Sequence, residues 1–159
     1  MAKKVADQLV DTLEKAGVRR IYAVTGDSLN EVNEAVRKNG RLRWIHVRHE
    51  ETGAYAAAAE AQLTGELACC AGSSGPGHVH LINGLYDAQR SGARVLAIAS
   101  TIPSREFGTE YFQETNTIKL FDDCSYYNQV ATTPEQFPRM LQGAMQAAIS
   151  SCGVCLLYT

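Results

Sequence analysis

The sequence predicts an α/β domain, a three-layer, doubly wound fold in which a mostly parallel sheet of about six strands has helices on both faces. Two observations lead to this prediction. Segments with apolar residues at helical spacing alternate along the chain with short apolar runs. These runs are apolar throughout, as expected for strands that helices cover on both sides.

The composition is that of an ordinary globular domain. The chain has 159 residues, of which 45% are hydrophobic and 20% charged, and its formal net charge is −2. This balance excludes a disordered charged tail, and it gives no basic excess that would predict nucleic acid as a partner. Asp7, Asp11 and Glu14 interrupt the N-terminal segment, so we expect no signal peptide. Five cysteines without such a signal predict reduced thiols and a cytoplasmic protein.

The predicted elements follow one another without a linker, a repeat or a low-complexity segment. The apolar runs predicted as strands lie at 20–24, 44–47, 67–71, 94–99, 126–131 and 153–158. The segments with helical periodicity lie at about 5–16, 29–38, 50–63, 78–90, 118–123 and 134–150. The whole chain therefore reads as a single domain.

Capping residues mark several helix ends. Asp27 or Ser28 is predicted to cap the second helix, and Gly40 to end it, since glycine adopts the left-handed conformation at little cost. Thr133 is predicted to cap the last long helix, with Pro134 at its first position.

Four loops are predicted to carry the function. Ligands of doubly wound folds bind at the carboxyl ends of the strands. Those ends precede the loops at 25–28, 48–51, 72–77 and 100–113. The last of these belongs to a long irregular stretch, 101–117, and loops of that length in a compact domain are often functional.

Two readings are open for Glu50, which lies in the run Arg48-His49-Glu50-Glu51 just past the second strand. A histidine and two carboxylates at a strand end could perform acid–base chemistry. Acidic residues are also common at helix N-termini, where they stabilise the helix dipole. The helix that follows is rich in alanine, and such small side chains let a backbone or a ligand approach closely.

The segment Ser73–Gly77 also has two readings, a ligand loop that offers backbone N–H groups and a plain tight turn. It lacks the lysine of a phosphate-binding Walker loop. His78 and His80 follow it, but residues two apart do not share a helix face, so they are not expected to form a metal pair. Cys152 and Cys155 have C-x-x-C spacing without a second pair, and we expect them to be buried apolar residues.

A magnesium–diphosphate motif is incomplete in the first strand-end loop. Gly26-Asp27 would need a second glycine next and an asparagine pair further on, but Ser28 follows and no such pair occurs. We therefore interpret Gly26 as a residue that leaves room for a neighbouring ligand or turn, and Asp27 mainly as a helix cap. No metal ligands are therefore predicted in this chain.

Taken together and in this order, these segments resemble the N-terminal pyrimidine-binding domain of thiamine-diphosphate enzymes of the pyruvate oxidase and acetolactate synthase group. The similarity covers about residues 3–153. The motifs that carry it are Val24-Thr-Gly-Asp-Ser-Leu-Asn30, Arg48-His-Glu-Glu51, Ala59-Glu-Ala-Gln-Leu-Thr-Gly-Glu-Leu-Ala68, Gly75-Pro-Gly77, His80-Leu-Ile-Asn-Gly-Leu-Tyr-Asp-Ala88 and Tyr111-Phe-Gln-Glu-Thr115. Thr-Gly-Asp-Ser, Leu-Ile-Asn-Gly-Leu and Tyr-Phe-Gln-Glu-Thr favour the pyruvate oxidase subtype, also called pyruvate dehydrogenase (quinone).

The resemblance assigns roles to particular residues. It makes Glu50 the catalytic glutamate that hydrogen-bonds N1′ of the cofactor's aminopyrimidine, which then allows the cofactor to decarboxylate a 2-oxo acid. The residues that it places around the cofactor are Gly26, Glu50, Ser73, Pro76, His80, Phe112 and Gln113. Glu51 remains a helix-start residue.

The resemblance also implies what the chain lacks. Such enzymes carry a central domain, which binds FAD in pyruvate oxidase, and a C-terminal domain that binds the diphosphate with Mg²⁺. We therefore expect residues 1–159 to be one domain of a longer oligomeric enzyme, inactive by itself. In quinone-linked relatives a contact with the inner membrane lies at the far C-terminus.

Two positions depart from the family pattern. Arg94 stands where a proline is usual, and residues 155–159 differ enough from the family to predict that the chain end is foreign to the protein. Three alternatives to an FAD- and quinone-linked pyruvate oxidase stay open. They are acetolactate synthase, another 2-oxo acid lyase with the same domain, and a non-catalytic α/β binding module.

Overall fold

The computed structural model describes residues 4–158, with the side chain of Tyr158 left out. The first three residues, part of the segment where we expect no signal peptide, and Thr159 lie outside the described residues. The six strands are β1 (Arg20–Ala23), β2 (Arg43–His46), β3 (Ala68–Gly72), β4 (Val95–Ala99), β5 (Tyr127–Val130) and β6 (Val154–Tyr158). The α-helices are α1 (Val5–Lys15), α2 (Asn30–Asn39), α3 (Glu50–Thr64), α4 (Pro76–Val79), α5 (Ile82–Arg90), α6 (Thr117–Leu120) and α7 (Phe137–Ser151).

All six strands pair in parallel, in the order β2-β1-β3-β4-β6-β5, which confirms the predicted fold class. The chain runs from β1 outward to β2 and then returns past β1 to β3. The strand order therefore reverses between β1 and β3. In open α/β sheets a crevice at the carboxyl ends of the strands forms at such a reversal.

The sheet separates two apolar cores, because alternate residues of each strand point to opposite faces. On one face, α1, α2 and α7 cover residues such as Ile21, Leu96 and Leu157. On the other face, α3 and α5 cover residues such as Cys70 and Val95. Strands β3 and β4 are buried at every position, as the unbroken apolar runs predict.

Helices α3 and α5 pack unusually closely because both present small residues at the contact. A Cβ placed on Gly84 would lie 2.5 Å from Ala54 Cβ and 2.8 Å from the backbone nitrogen of Tyr55. Gly53 on α3 approaches the sheet in a similar way, and a Cβ there would lie 3.2 Å from the carbonyl oxygen of Tyr22. The alanine-rich sequence of α3 thus serves close packing against neighbouring backbone.

The boundaries of two predicted helices were wrong. The predicted helix 78–90 is two helices, α4 and α5, which meet at His80 and Leu81. The last long helix begins at Phe137, so Thr133 and Pro134 do not start it, and the proline in its first turn is Pro138. The later start of this helix is explained by residues 133–136, which form a separate turn in front of it.

The cap predicted at Asp27 or Ser28 is also wrong. Asp27–Leu29 form a short 3₁₀ turn ahead of α2, and neither side chain caps that helix. Asp27 instead accepts a hydrogen bond from the backbone N–H of Ser28 at 2.8 Å. Gly40 does end α2, in the left-handed conformation with φ 67°.

The two departures from the family pattern are both part of the fold. Arg94 donates to the carbonyl oxygen of Gly65 at the end of α3, at 2.5 Å, and Nη2 lies 3.6 Å from Cys152 Sγ. Residues 155–158 belong to β6, which pairs with β4 on one side and β5 on the other. The side chains at 155–157 are fully buried. Residues 155–158 thus complete the sheet, and the origin of the chain end stays a prediction.

The cysteine thiols differ sharply in exposure. Cys69, Cys70, Cys124 and Cys155 are buried, and burial raises the pKa of Cys70 and Cys155 to about 12 and that of Cys124 to about 11. Cys152, at the end of α7, is exposed. Of the C-x-x-C pair, the prediction of a buried residue is thus confirmed for Cys155 and wrong for Cys152.

We expect a thiol reagent such as Ellman's reagent at pH 8 to modify one cysteine quickly in the native chain, because the thiolate is the reacting species and needs access. The other four should react only after denaturation. The variant Cys152→Ser should lose the fast phase. Rapid reaction of two or more thiols in the native wild-type chain would contradict the described packing.

No helix in the described stretch of chain is long and apolar enough to cross a membrane.

Candidate functional site

Three strand-end loops meet at the point where the strand order reverses. Gly26 follows β1 and Ser73 follows β3, and a Cβ on Gly26 would lie only 2.4 Å from Ser73 Cβ. The hydroxyls of Ser28 and Ser73 are 2.8 Å apart, and Ser74 donates its backbone N–H to Ser28 Oγ at 3.0 Å. Ser100, after β4, donates its hydroxyl to the carbonyl oxygen of Ser28 at 2.8 Å.

This network gives Ser28 its role. The sequence assigned it to a helix cap, whereas the structure shows that it fastens the loops after β1, β3 and β4 to one another. It also bears on the reading of Ser73–Gly77 as an anion loop. The backbone N–H of Ser74 is engaged by Ser28, and that of His78 donates to Ser73 at 2.8 Å. At these two residues the loop is held as a turn.

Glu50 is the first residue of α3 and is only 7% exposed. It reaches the same loop from the opposite face of the sheet. A Cβ on Gly77 would lie 3.2 Å from Glu50 Oε1 and 3.1 Å from Ser73 Cβ. The glycine at position 77 therefore lets this carboxylate and Ser73 both pack closely against its backbone. Two of the predicted residues, Glu50 and Ser73, are brought together in this way.

His80 holds the other carboxylate oxygen of Glu50. Its Nδ1 lies 3.0 Å from Glu50 Oε2. The His80 ring stacks on the His49 ring, with centroids 4.4 Å apart and planes inclined by 25°. Ligand atoms of His49, Glu50 and His80 all lie within 4.8 Å of one another, although no metal ligands are predicted from the sequence. The helix break at residues 80–81 brings His80 to this point.

The loop 101–117 is anchored against the Ser73–Gly77 turn. Ser74 donates its hydroxyl to Gln113 Oε1 at 3.1 Å, and a Cβ on Gly75 would lie 2.7 Å from Gln113 Cβ. Gln113 and Glu110 have positive φ, 69° and 58°, which is costly for residues other than glycine. Such strain concentrates at functional sites, and here it occurs in the loop that carries a predicted site residue.

Phe112 and Pro76 occupy the periphery of this arrangement. The side chain of Phe112 is 80% exposed, at the mouth of a cavity of about 590 Å³ that Ser28, Ser74 and Gln113 also line. Glu50 is not among the residues that line it. The cavity thus adjoins the loop end of the site and not its carboxylate. Pro76 is the exposed first residue of α4.

His78 is a structural residue of the site that sequence reasoning missed. It is 1% exposed, and Nδ1 lies 3.0 Å from the carbonyl oxygen of Ser100 while Nε2 lies 2.6 Å from Thr115 Oγ1. A carbonyl only accepts, so Nδ1 carries the proton and the neutral Nε2 accepts from the Thr115 hydroxyl. His78 thereby ties the end of the long loop to β4. The sequence feature that could have indicated this role is the position of His78 directly after Gly75-Pro-Gly77.

The burial of His78 should make the fold sensitive to mild acid. Desolvation lowers the pKa of His78 below its ordinary 6.5, and the hydrogen bond to Ser100 opposes this in part. The unfolded chain thus binds the proton more readily than the folded one. The stability contributed by neutral His78 is complete above pH 6.5 and is lost as the pH falls below it.

We therefore expect the urea midpoint of the chain to decrease between pH 7 and pH 5.5. The variant His78→Gln should be less stable at pH 7, and its midpoint should depend less on pH over this interval. The exposed residue His46 provides the comparison, since His46→Gln should leave the pH dependence unchanged. Equal slopes for wild type and His78→Gln would contradict the assignment.

The site offers one buried carboxylate, hydroxyl groups and two glycines that let the strand-end loops pack closely. A buried carboxyl group of this kind can share a proton with a ring nitrogen of a bound ligand. Within residues 4–158, one group of three side chains could ligate a metal ion, namely His49, Glu50 and His80. Two of these ligands are nitrogens, whereas Mg²⁺ prefers oxygen ligands.

The fold and this carboxylate site define a pyrimidine-binding domain. The family model of the thiamine pyrophosphate enzyme N-terminal TPP binding domain matches residues 3–120, and the chain belongs to this family. Thiamine pyrophosphate and thiamine diphosphate are the same compound.

Curated relatives agree with this family. The chain is 56% identical over 154 residues to an uncharacterized 42.6 kDa protein from Pseudomonas amyloderamosa, and these residues are 97% of the chain. It is 45% identical over 159 residues to the putative thiamine pyrophosphate-containing protein YdaP of Bacillus subtilis, covering 99% of the chain. It is 37% identical over 150 residues to pyruvate oxidase of Lactiplantibacillus plantarum, covering 94%. Acetolactate synthase 3 of Brassica napus is 33% identical over 148 residues, covering 93%.

The chain spans only part of each of these relatives, 39%, 28%, 25% and 23% of their lengths in the same order.

Proposed function

We propose that this chain forms the pyrimidine-binding part of a thiamine-diphosphate enzyme that oxidatively decarboxylates pyruvate to acetate and carbon dioxide. The observation that carries the proposal is the position of Glu50, whose carboxylate is buried beside Gly77 of the Ser73–Gly77 turn. The family supports thiamine diphosphate as the ligand. The pyruvate reaction is supported by the motifs Thr-Gly-Asp-Ser, Leu-Ile-Asn-Gly-Leu and Tyr-Phe-Gln-Glu-Thr and by the similarity to a pyruvate oxidase.

Glu50 would hold the proton that is shared with a ring nitrogen of the aminopyrimidine. When bound, thiamine diphosphate supplies an electron sink for the carbon–carbon bond that breaks in a 2-oxo acid. His80 keeps Glu50 Oε2 occupied at 3.0 Å, so Oε1, on the side of Gly77, is the oxygen that we assign to the ring. Gly26 and Ser73, which pack against each other at the strand-order reversal, would line the pocket there.

Gln113 and Phe112 would contribute the substrate end of the site. Gln113 is fixed by its hydrogen bond to Ser74, whereas Phe112 is exposed beside the cavity. An exposed aromatic ring at this place fits a site that another domain completes. Pro76, at the start of α4, would border the same region.

We further propose that the complete enzyme carries a central FAD-binding domain and a C-terminal domain that binds the diphosphate through Mg²⁺. It would act as a cytoplasmic homo-oligomer, and a C-terminal contact with the inner membrane would pass electrons to a quinone. The chain by itself would then be inactive. Acetolactate synthase is the second candidate, because an acetolactate synthase matches at an identity close to that of the pyruvate oxidase.

The full-length gene product should be assayed with pyruvate, thiamine diphosphate, Mg²⁺ and FAD. Reduction of ferricyanide or a soluble quinone with stoichiometric acetate supports the proposal. Acetolactate as the product, without reduction of the acceptor, would replace the proposal with the second candidate. No binding of thiamine diphosphate by the full-length protein would instead indicate a non-catalytic module.

A further inference from the structure

We propose that His49, Glu50 and His80 form a binding site for a zinc-type divalent metal ion, and that an ion in this site excludes the aminopyrimidine of the cofactor. Metal binding is independent of the function proposed above, and only the competition rests on it. Nothing in the family match or in the names of the relatives assigns such a site.

The geometry is close to that of a metal centre. Nδ1 of His80 and Oε2 of Glu50 are already 3.0 Å apart, and the ligand atoms of all three residues lie within 4.8 Å. Zinc binds nitrogen and oxygen ligands at about 2.0–2.2 Å, so two ligands of a tetrahedral ion are roughly 3.3 Å apart. The proposal requires the His49 ring to move closer to the other two ligands, and its side chain is 47% exposed and stacked on His80 alone among the described rings.

The donor set selects the kind of metal. Two imidazoles and one carboxylate suit zinc and similar transition-metal ions, and three protein ligands leave a fourth position for water. Mg²⁺ prefers oxygen ligands and keeps its water, so it should not compete here. Glu51 stands beside His49, with Oε2 3.7 Å from His49 Nδ1. This second carboxylate adds negative charge beside the imidazole, which favours a bound cation.

Metal and cofactor would need the same carboxylate. An ion coordinated by Glu50 neutralises the carboxylate that would otherwise hydrogen-bond the ring nitrogen of the aminopyrimidine. It also draws His80 into the metal's coordination sphere. The two ligands are therefore expected to bind in a mutually exclusive manner.

Cobalt(II) serves as the probe, because it replaces zinc and gives a visible absorption band when four-coordinate. The titration uses the 159-residue chain carrying Cys152→Ser, which removes the exposed thiol as a ligand. We expect one equivalent of Co²⁺ to bind, Zn²⁺ to displace it, and excess Mg²⁺ to leave it in place. His49→Ala and His80→Ala should each weaken binding at least about tenfold. The matched control His46→Ala, an exposed histidine on β2, should bind as the parent does.

Nuclear magnetic resonance of the chain without histidine changes keeps the test decisive if a variant fails to fold. Substoichiometric Co²⁺ should broaden the imidazole signals of His49 and His80 more than those of His46 and His78. Equal broadening of all four signals, no saturable binding, or full affinity in both His49→Ala and His80→Ala would overturn the site.

A separate measurement tests the competition. In the full-length protein, binding of thiamine diphosphate, followed by fluorescence, should weaken as Zn²⁺ is added and recover on addition of a chelator. Simultaneous binding of Zn²⁺ and cofactor would overturn the exclusion. Failure of the full-length protein to bind cofactor at all would count against the proposed function and would leave the cobalt result standing.

Discussion

Replacement of Glu50 by glutamine should lower the turnover of the full-length enzyme by roughly 10²–10⁴-fold, the range typical of a lost acid–base group. Glutamine keeps the size of the side chain and can still bond to a ring nitrogen, but it has no proton to share in the way a carboxyl group does. Binding of thiamine diphosphate should weaken far less than turnover does. The measurement is the exchange of the C2 proton of the bound cofactor for deuterium, together with the steady-state rate.

Glu51→Gln is the matched control for this experiment. Glu51 is the next residue in the same first turn of α3, and its side chain is 35% exposed. Its carboxylate lies 3.7 Å from His49 and away from Gly77. Turnover in Glu51→Gln should stay close to the wild-type rate. Wild-type exchange and turnover in Glu50→Gln, or equal losses in the two variants, would remove the role proposed for Glu50.

Replacement of Gly84 by alanine should destabilise the domain even though alanine is the better helix former. The gain in helix propensity is about 1 kcal/mol. Against it stands the contact between α3 and α5, where the new Cβ would lie 2.5 Å from Ala54 Cβ and 2.8 Å from the nitrogen of Tyr55. These atoms belong to a packed helix and cannot swing aside. Contacts this short place the overpacking cost at the upper end of its usual range, about 3 kcal/mol, so the net free energy of unfolding should decrease by about 2 kcal/mol.

Gly143→Ala is expected to have the opposite effect on the free energy of unfolding. Gly143 lies within α7, and a Cβ there would meet only the ring of Tyr127, at 3.6 Å, which is ordinary contact. This variant should gain stability by up to about 1 kcal/mol from helix propensity. Urea denaturation of both variants compares the two positions. A stabilised Gly84→Ala chain would show that α3 and α5 are less closely packed than described.

The fold class was predictable because the hydrophobic pattern of each segment agrees with the burial that the segment has in the folded domain. The strands β3 and β4 are buried on both faces, and their sequences are apolar without interruption. Boundaries were less predictable where a turn competes with a helix. Residues 133–136 carry Thr133 and Pro134, a good helix start in isolation, yet they form a turn ahead of Phe137.

The sequence predicted where the candidate site lies, but not which side chains contact one another there. The four strand-end loops and Glu50 follow from topology, since parallel strands deliver their carboxyl ends to one edge. The partners of each side chain depend on contacts distant in sequence. Ser28 binds Ser73, which lies 45 positions away, and His78 binds Thr115, which lies 37 positions away. No local pattern encodes such pairs, so Ser28 was assigned to a cap and His78 had no role.

The position of β6 has a consequence for how the chain folds during synthesis. Of the six described strands this one is synthesised last, yet it lies between β4 and β5, and within residues 4–158 β5 pairs with β6 alone. Until residue 158 has emerged, one edge of β4 and the whole of β5 lack their hydrogen-bonding neighbour. The β4 edge consists of apolar residues, and unpaired apolar edges promote aggregation. The parallel sheet of this domain therefore cannot close until residues 154–158 are available to pair with both neighbours.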